Sequence, residues 1–310
     1  MLLKRAYRYA LRTLDAVWPR IFLWAFVIPY LRIRRVVRKP FTVRLAFRSA
    51  TVMDGSRLCK VALSRKSTVE MEYRNFAAAT RSWPGLLAIF PDIQFNSDGL
   101  VKYLTMSRYH PVRLEESLPH ASSAYQRMRS CGNGHGVRMA VSDSPELLAG
   151  IAMLAELYDD PTARSIRRHV EAFLATGNYH LGFAHGDFHS RNIVLDELGA
   201  PRLVDLDCVR LNGIQELDAL YFVLEWEWSR SGRAWHDTIV DMLRGTASKE
   251  QLAMLKTGFG VEGGFGLAVT YMIDRIGQEG RNFGARWYTR AALDPAIARI
   301  GTAQGVLRSA

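Results

Sequence analysis

Apolar and polar positions along the chain follow two different periods, which meet near residue 110. Residues 42–47 alternate polar with apolar, the pattern of a half-buried strand. The runs 50–53 and 58–63 are β-prone, and Asp54-Gly55 between them predicts a hairpin. Over 68–80, Val69, Tyr73, Phe76 and Ala77 fall on one face, with Glu70 and Glu72 near the start, so a helix is predicted. Two further strands are predicted over 86–95 and 100–106, separated by the turn Asn96-Ser97-Asp98-Gly99. Residues 41–110 therefore read as a small β-rich lobe with one helix.

Beyond residue 111 helical signals dominate. Asp143-Ser144-Pro145 is a cap followed by proline in the first turn, which predicts a helix over 145–158. A second, over 162–176, stops at Gly177. Further helices are predicted over 215–229, 235–243, 249–256, 266–276 and 295–300, with a short β-rich stretch around Val194 and Leu203-Val204. The expected organisation is α+β: a basic, apolar segment over 1–40, the β-rich lobe over 41–110 and a helical lobe over 111–310. The cluster Gly132-Asn133-Gly134-His135-Gly136 follows no clear strand and lacks a lysine in phosphate-loop position, so it reads as a mobile loop.

Charge and composition narrow the partners. With 48% hydrophobic and 23% charged residues, the chain has the mix of a folded enzyme rather than of a disordered protein. Cys59, Cys131 and Cys208 are scattered and odd in number, which argues against a disulfide framework or a zinc site and fits a reducing, cytoplasmic compartment. The net charge is +11, and the first 48 residues hold twelve basic residues against the single acid Asp15, so they carry the whole excess. Anionic membrane and nucleic acid are the usual partners of such a segment. The apolar run over 21–31 is shorter than the ~20 residues a membrane span needs. It lacks a small-residue cleavage site and is bracketed by Arg20 and Arg32, unlike a signal peptide. An in-plane amphipathic segment on anionic headgroups accounts for its aromatics and arginines together and favours a membrane surface over nucleic acid. The alternative is a helix packed on the protein's own body, its arginines simply solvated.

The chemistry is concentrated in His185-Gly186-Asp187-Phe188-His189-Ser190-Arg191-Asn192-Ile193-Val194, followed by Leu203-Val204-Asp205-Leu206-Asp207. The stretch resembles the aminoglycoside phosphotransferase/choline kinase branch of the protein-kinase-like superfamily. The matches are His185-Gly186-Asp187, Asn192-Ile193 and Val204-Asp205-Leu206-Asp207. The resemblance implies a bilobal kinase-like fold and an ATP-dependent kinase in which Asp187 is the catalytic base, Asn192 and Asp205 hold Mg2+, and His185 fixes the loop. Phosphoryl transfer needs these types: a carboxylate to orient the hydroxyl and take its proton, hard oxygen donors for magnesium, and a lysine on the phosphates that do not move.

The β-rich lobe supplies matching candidates. The family places a lysine on the third strand and a glutamate on the next helix; here these are Lys60 and Glu72, with Glu70 as the alternative partner. Asp218, at a helix start, is expected to brace the Asp187 loop. Met106-Ser107-Arg108-Tyr109 resembles the hinge that touches adenine, which makes Met106 and Arg108 nucleotide-binding candidates. One departure is that Arg48-Ser49-Ala50-Thr51, where the family's phosphate-covering loop usually has glycines, has none. His185, Asp187 and His189 could alternatively hold a transition metal, but that leaves Asn192 and Asp205 unexplained.

For the acceptor, the resemblance extends more loosely to lipopolysaccharide core sugar kinases. It implies a hydroxyl-bearing glycolipid sugar and a peripheral location on the inner face of the cell membrane. The rivals are a soluble kinase of an aminoglycoside-like or choline-like small molecule, and a membrane-associated pseudokinase that only binds.

Overall fold

The computed structural model describes residues 19–38, 40–45, 49–64, 67–97, 101–132, 138–283 and 290–307. Residues 1–18, Arg48, part of the turn Asn96-Ser97-Asp98-Gly99 and most of the cluster Gly132-Asn133-Gly134-His135-Gly136 lie outside the described residues. The chain forms two compact units, Met1–His110 with Val194–Cys208 and Pro111–Ile193 with Val209–Ala310. The segment Val194–Cys208, read from sequence as part of the helical lobe, thus clusters with the first unit.

The first unit opens with a π-helical stretch, Leu23–Val27, that continues into α1 (Ile28–Ile33). Strands β1 (Thr42–Leu45), β2 (Ser49–Met53) and β3 (Arg57–Ala62) follow, then α2 (Val69–Ser82), β4 (Gln94–Ser97) and β5 (Lys102–Ser107). The sheet is antiparallel, in the order β1-β2-β3-β5-β4. The hairpin expected at Asp54-Gly55 is present, with Met53 opposite Leu58. Asp54 closes it by accepting the amides of Arg57 at 2.8 Å, Ser56 at 2.9 Å and Arg38 at 3.0 Å.

Side chains alternate across a strand, and that alternation divides the work of the sheet. Ala50, Val52, Cys59, Val61 and Tyr103 form one core with Leu23, Val27, Ile28 and Leu31 of the N-terminal helical segment. One face of the 21–31 run therefore packs on the protein's own sheet, while Ile21, Trp24 and Phe26 remain exposed. No helix among the described residues is long and apolar enough to cross a membrane. Lys60, one residue out of step with Cys59 and Val61, is turned to the opposite face.

The strand expected over 86–95 does not form. Residues Pro84–Ala88 make a 3-10 turn and only Gln94–Ser97 is extended. Pro84 and Pro91 have no amide to give a ladder, which confines this stretch to turn and loop.

The second unit contains α3 (Ser117–Ser130), α4 (Pro145–Leu157), α5 (Asp160–Thr176), α6 (Gln215–Ser231), α7 (Trp235–Arg244), α8 (Lys249–Ala253), α9 (Phe265–Phe283) and α10 (Arg290–Leu307). Ser144 caps α4 by accepting the Leu147 amide at 3.2 Å, and Gly177 ends α5 with φ of +67°. Strands Leu181–Ala184 and Arg210–Ile214 pair antiparallel; the first leads into the Asp187 loop and the second into α6.

One further difference from the sequence reading has its cause in packing. The helix expected over 266–276 runs from Phe265 to Phe283, although Gly277 and Gly280 fall where a break would be read. These glycines are packing contacts. A Cβ on Gly277 would strike the Glu146 carbonyl, and one on Gly150 the Ile273 carbonyl, so α4 and α9 approach backbone to backbone.

Candidate active site

In the first unit the Lys60 ammonium lies 2.7 Å from Glu72 Oε2 and 2.6 Å from Asp205 Oδ1. Glu72, rather than Glu70, is thus the partner of Lys60; Glu70 turns outward to Arg74 and Lys102. Burial disfavours the Lys60 ammonium, but Glu72 and Asp205 outweigh it and hold its pKa above the usual lysine value. Glu72 is 1% exposed, and burial pushes its carboxyl up against the pull of Lys60.

Asp205 follows the strand Pro201–Leu203 and precedes the 3-10 turn Leu206–Cys208. Its φ is +63°, a left-handed conformation that costs most side chains energy and that aspartate tolerates better than most. Its neighbours fix that geometry. Asn75 of α2 donates to the carbonyls of Leu206 at 2.8 Å and Asp207 at 3.3 Å, and the Leu203 amide reaches the Ile89 carbonyl at 2.6 Å. Two carboxylates face one ammonium here, and the excess negative charge falls on Asp205, the most exposed of the three at 43%. That is a hard oxygen donor suited to a cation such as Mg2+.

In the second unit the Asp187 loop is held from three sides. Asp218, in the first turn of α6, accepts the amides of His185 at 2.6 Å and Gly186 at 2.8 Å. Gly186 has φ of +75° and gives its carbonyl to Gln278 of α9 at 2.9 Å. The His185 ring accepts the Asp187 amide at 3.3 Å. Asn192 donates its Nδ2 to the Asp187 carbonyl at 2.8 Å and to Asp187 Oδ2 at 3.0 Å. With Nδ2 so committed, Asn192 Oδ1 is the atom left to ligate.

The Asp187 carboxylate also accepts the Tyr221 hydroxyl at 2.8 Å on Oδ1 and faces His189 Nε2 at 3.4 Å on Oδ2. Burial opposes its ionisation, but His189, Tyr221 and His185 prevail and hold it well below the usual carboxylate range. Arg275 of α9 donates to the Tyr221 hydroxyl at 3.0 Å and lies 4.3 Å from its ring centroid. The sequence reading named neither Tyr221 nor Arg275. Each sits inside a helix at an ordinary position, and only the packing of α6 on α9 gives it a role. The histidine atoms are likewise committed: His189 Nδ1 accepts the Arg191 amide at 3.2 Å. Among the described residues no group of three or more His, Cys, Asp or Glu side chains is arranged to hold a metal ion.

Met106 is buried near the end of β5, and the Arg108 amide is already bonded to the Ser56 carbonyl at 3.0 Å. Any adenine contact at Arg108 would therefore use other atoms than that amide. Glu225 and Trp228 lie at the open end of α6, where Arg191 reaches Glu225 at 3.3 Å and stacks 5.6 Å from the Trp228 ring.

No family model and no curated protein matches the chain. Solved structures do. An aminoglycoside phosphotransferase, APH(3'')-Id from Streptomyces rimosus, aligns with a TM-score of 0.53 at 13% identity, covering 82% of this chain and 97% of its own. A choline/ethanolamine kinase family protein from Mesorhizobium loti aligns at 0.50 with 15% identity, covering 85% and 87%. A thermostable mutant of APH(4)-Ia, solved in ternary complex with ADP and hygromycin B, aligns at 0.51 with 13% identity, covering 88% and 98%. The chain therefore has the kinase-like fold of the choline kinases and aminoglycoside phosphotransferases, as the motif order led one to expect.

Proposed function

We propose that this chain transfers the terminal phosphoryl group of ATP to a hydroxyl of a sugar carried on a membrane-anchored glycolipid, such as a lipopolysaccharide core. The observation that carries the transferase reading is the Lys60 ammonium held between Glu72 and Asp205. This is the ion pair that kinase-like folds use to aim a lysine at the phosphates that stay on the nucleotide. On this proposal Asp187 and Asn192 would serve the same nucleotide, and Met106 would contact the base. Asn192 Oδ1 and the Asp205 carboxylate would hold Mg2+, which when bound neutralises charge on the phosphates.

Asp187, ionised across the physiological range, accepts the hydrogen bond of the attacking hydroxyl. As the new oxygen–phosphorus bond forms and the bond from the terminal phosphorus to the bridging oxygen breaks, the hydroxyl proton passes to Asp187. A carboxylate with so low a pKa is a weak base, so its main contribution is orientation.

The membrane part rests on Ile21, Trp24 and Phe26, each at least half exposed, beside Arg20, Arg32, Arg34 and Arg35. Apolar side chains would enter the interface while arginines meet anionic headgroups on the cytoplasmic side.

The test is transfer from γ-labelled ATP into lipid and small-molecule extracts, with Asp187→Asn as control. Label that partitions with lipid and is lost in Asp187→Asn is expected. Label only in water-soluble products overturns the glycolipid acceptor, and equal labelling by Asp187→Asn overturns the role of Asp187.

A further inference from the structure

The face of the first unit's sheet that packs against the N-terminal helical segment carries a second feature. Beside that core, Ser56, Arg57, Asp92, Gln94, Thr105, Met106 and Ser107 line a cavity of about 340 Å3. Arg57 pairs with Ser107 and Cys59 with Thr105 across β3 and β5. The alternation of the strands puts Arg57, Thr105 and Ser107 on the Cys59 face, away from Lys60. Met106, the nucleotide-binding candidate along its lining, belongs by the same alternation to the Lys60 face, and Asp187, Asn192 and Asp205 take no part in the cavity.

Its chemistry is that of polyol recognition. Arg57 supplies a cation, Asp92 and Gln94 accept hydrogen bonds, and Gln94, Thr105 and Ser107 also donate. None of these five side chains has a hydrogen bond or ion pair to another described residue, and Arg57 and Asp92 do not pair with each other. A guanidinium with an amide and two hydroxyls, none engaged by another described residue, in one concavity suits a phosphate with adjoining hydroxyls.

The cavity also adjoins the helical segment. Asp54, which binds the amides of Arg38, Ser56 and Arg57, joins the end of that segment to the cavity's edge. The exposed Ile21, Trp24 and Phe26 belong to the same segment.

We propose that this cavity is a binding site for a phosphate-bearing polyol, the chemistry shared by a glycerophosphate lipid headgroup and a free sugar phosphate. The lipid source rests on the membrane reading given above; the site itself does not.

The experiment titrates the full-length protein with sn-glycerol 1-phosphate, with dihexanoyl phosphatidylglycerol below its micelle concentration, and with vesicles containing phosphatidylglycerol. Binding is read by NMR at the Arg57 side chain and the Thr105 and Ser107 amides. Arg57 is exposed, so Arg57→Gln should fold normally, a point checked by its melting temperature. A soluble probe should shift those signals, and Arg57→Gln should weaken its binding about tenfold. A response to glycerol phosphate as strong as to the short-chain lipid assigns a free phosphate; a stronger response to the lipid assigns a headgroup. Vesicle binding undiminished in Trp24→Ser/Phe26→Ser, with soluble binding retained, would sink the membrane reading of the source but leave the site. No shift with any probe, or equal affinity in Arg57→Gln, overturns the site.

Discussion

Lys60 has a structural part in the fold and, on the proposed function, a part in holding the nucleotide. Its ammonium neutralises Glu72, which is 1% exposed, so its removal strands a buried carboxylate. Lys60→Met should destabilise the protein by about 3 kcal/mol, by analogy with broken buried ion pairs, and should abolish nucleotide-dependent stabilisation. Lys60→Met with Glu72→Gln should recover much of the stability without recovering nucleotide binding; urea titration with and without nucleotide separates the two effects. Asp187 behaves oppositely with pH. Its carboxyl is held low in the folded state, so its contribution to stability is present above the unfolded pKa of about 3.9. That contribution is lost as pH falls toward the folded value. The stability difference between the wild type and Asp187→Asn should be constant from pH 8 to 5 and shrink as pH falls below about 4. A difference that grows on acidification would mean that the carboxyl is not held low. At neutral pH, Asp187→Asn should cut transfer by roughly 10²–10⁴-fold, read in a steady-state assay.

Elements set the precision of these side chains. Because α4 and α9 touch through Gly150 and Gly277, α9 sits close enough for Gln278 to hold the Gly186 carbonyl and for Arg275 to hold Tyr221. Gly277→Ala should cost about 1–3 kcal/mol through overpacking and lower kcat more than KM, measured by thermal denaturation and kinetics. What the sequence revealed follows the same division. The Asp54-Gly55 hairpin, the Lys60 strand and the Asp187 loop were legible because turn chemistry and motif spacing are local. Helix Ser117–Ser130 was not, since its buried face is mostly small: Ser117, Ala121 and Ala124 leave Tyr125 and Met128 to carry the apolar signal. Tyr221 and Arg275 lie 54 residues apart, and no local pattern records that their helices meet. The helix expected to stop at 276 runs on through Gly277 and Gly280, because a glycine that ends a helix and one that admits a neighbour look alike in one sequence.

At the scale of the molecule, the basic segment packs on the sheet and, on the proposed function, also meets the membrane. Leu23, Val27, Ile28 and Leu31 complete a core with the sheet, so deleting the segment would uncover that sheet and confuse a loss of membrane contact with unfolding. Substituting its exposed face avoids this. Trp24→Ser/Phe26→Ser should keep the melting temperature and weaken sedimentation with anionic vesicles about tenfold or more. High salt should weaken wild-type binding through the arginines. On the proposed function, Lys60, Asp205, Asp187 and Asn192 serve one Mg2+-nucleotide. The most direct test of that role is the melting temperature with ATP, with and without Mg2+, for the wild type, Asp205→Asn and Asn192→Ala. A rise of several degrees that requires Mg2+ and is lost in both variants is expected. An equal rise without Mg2+, or one undiminished in Asp205→Asn and Asn192→Ala, would contradict that role.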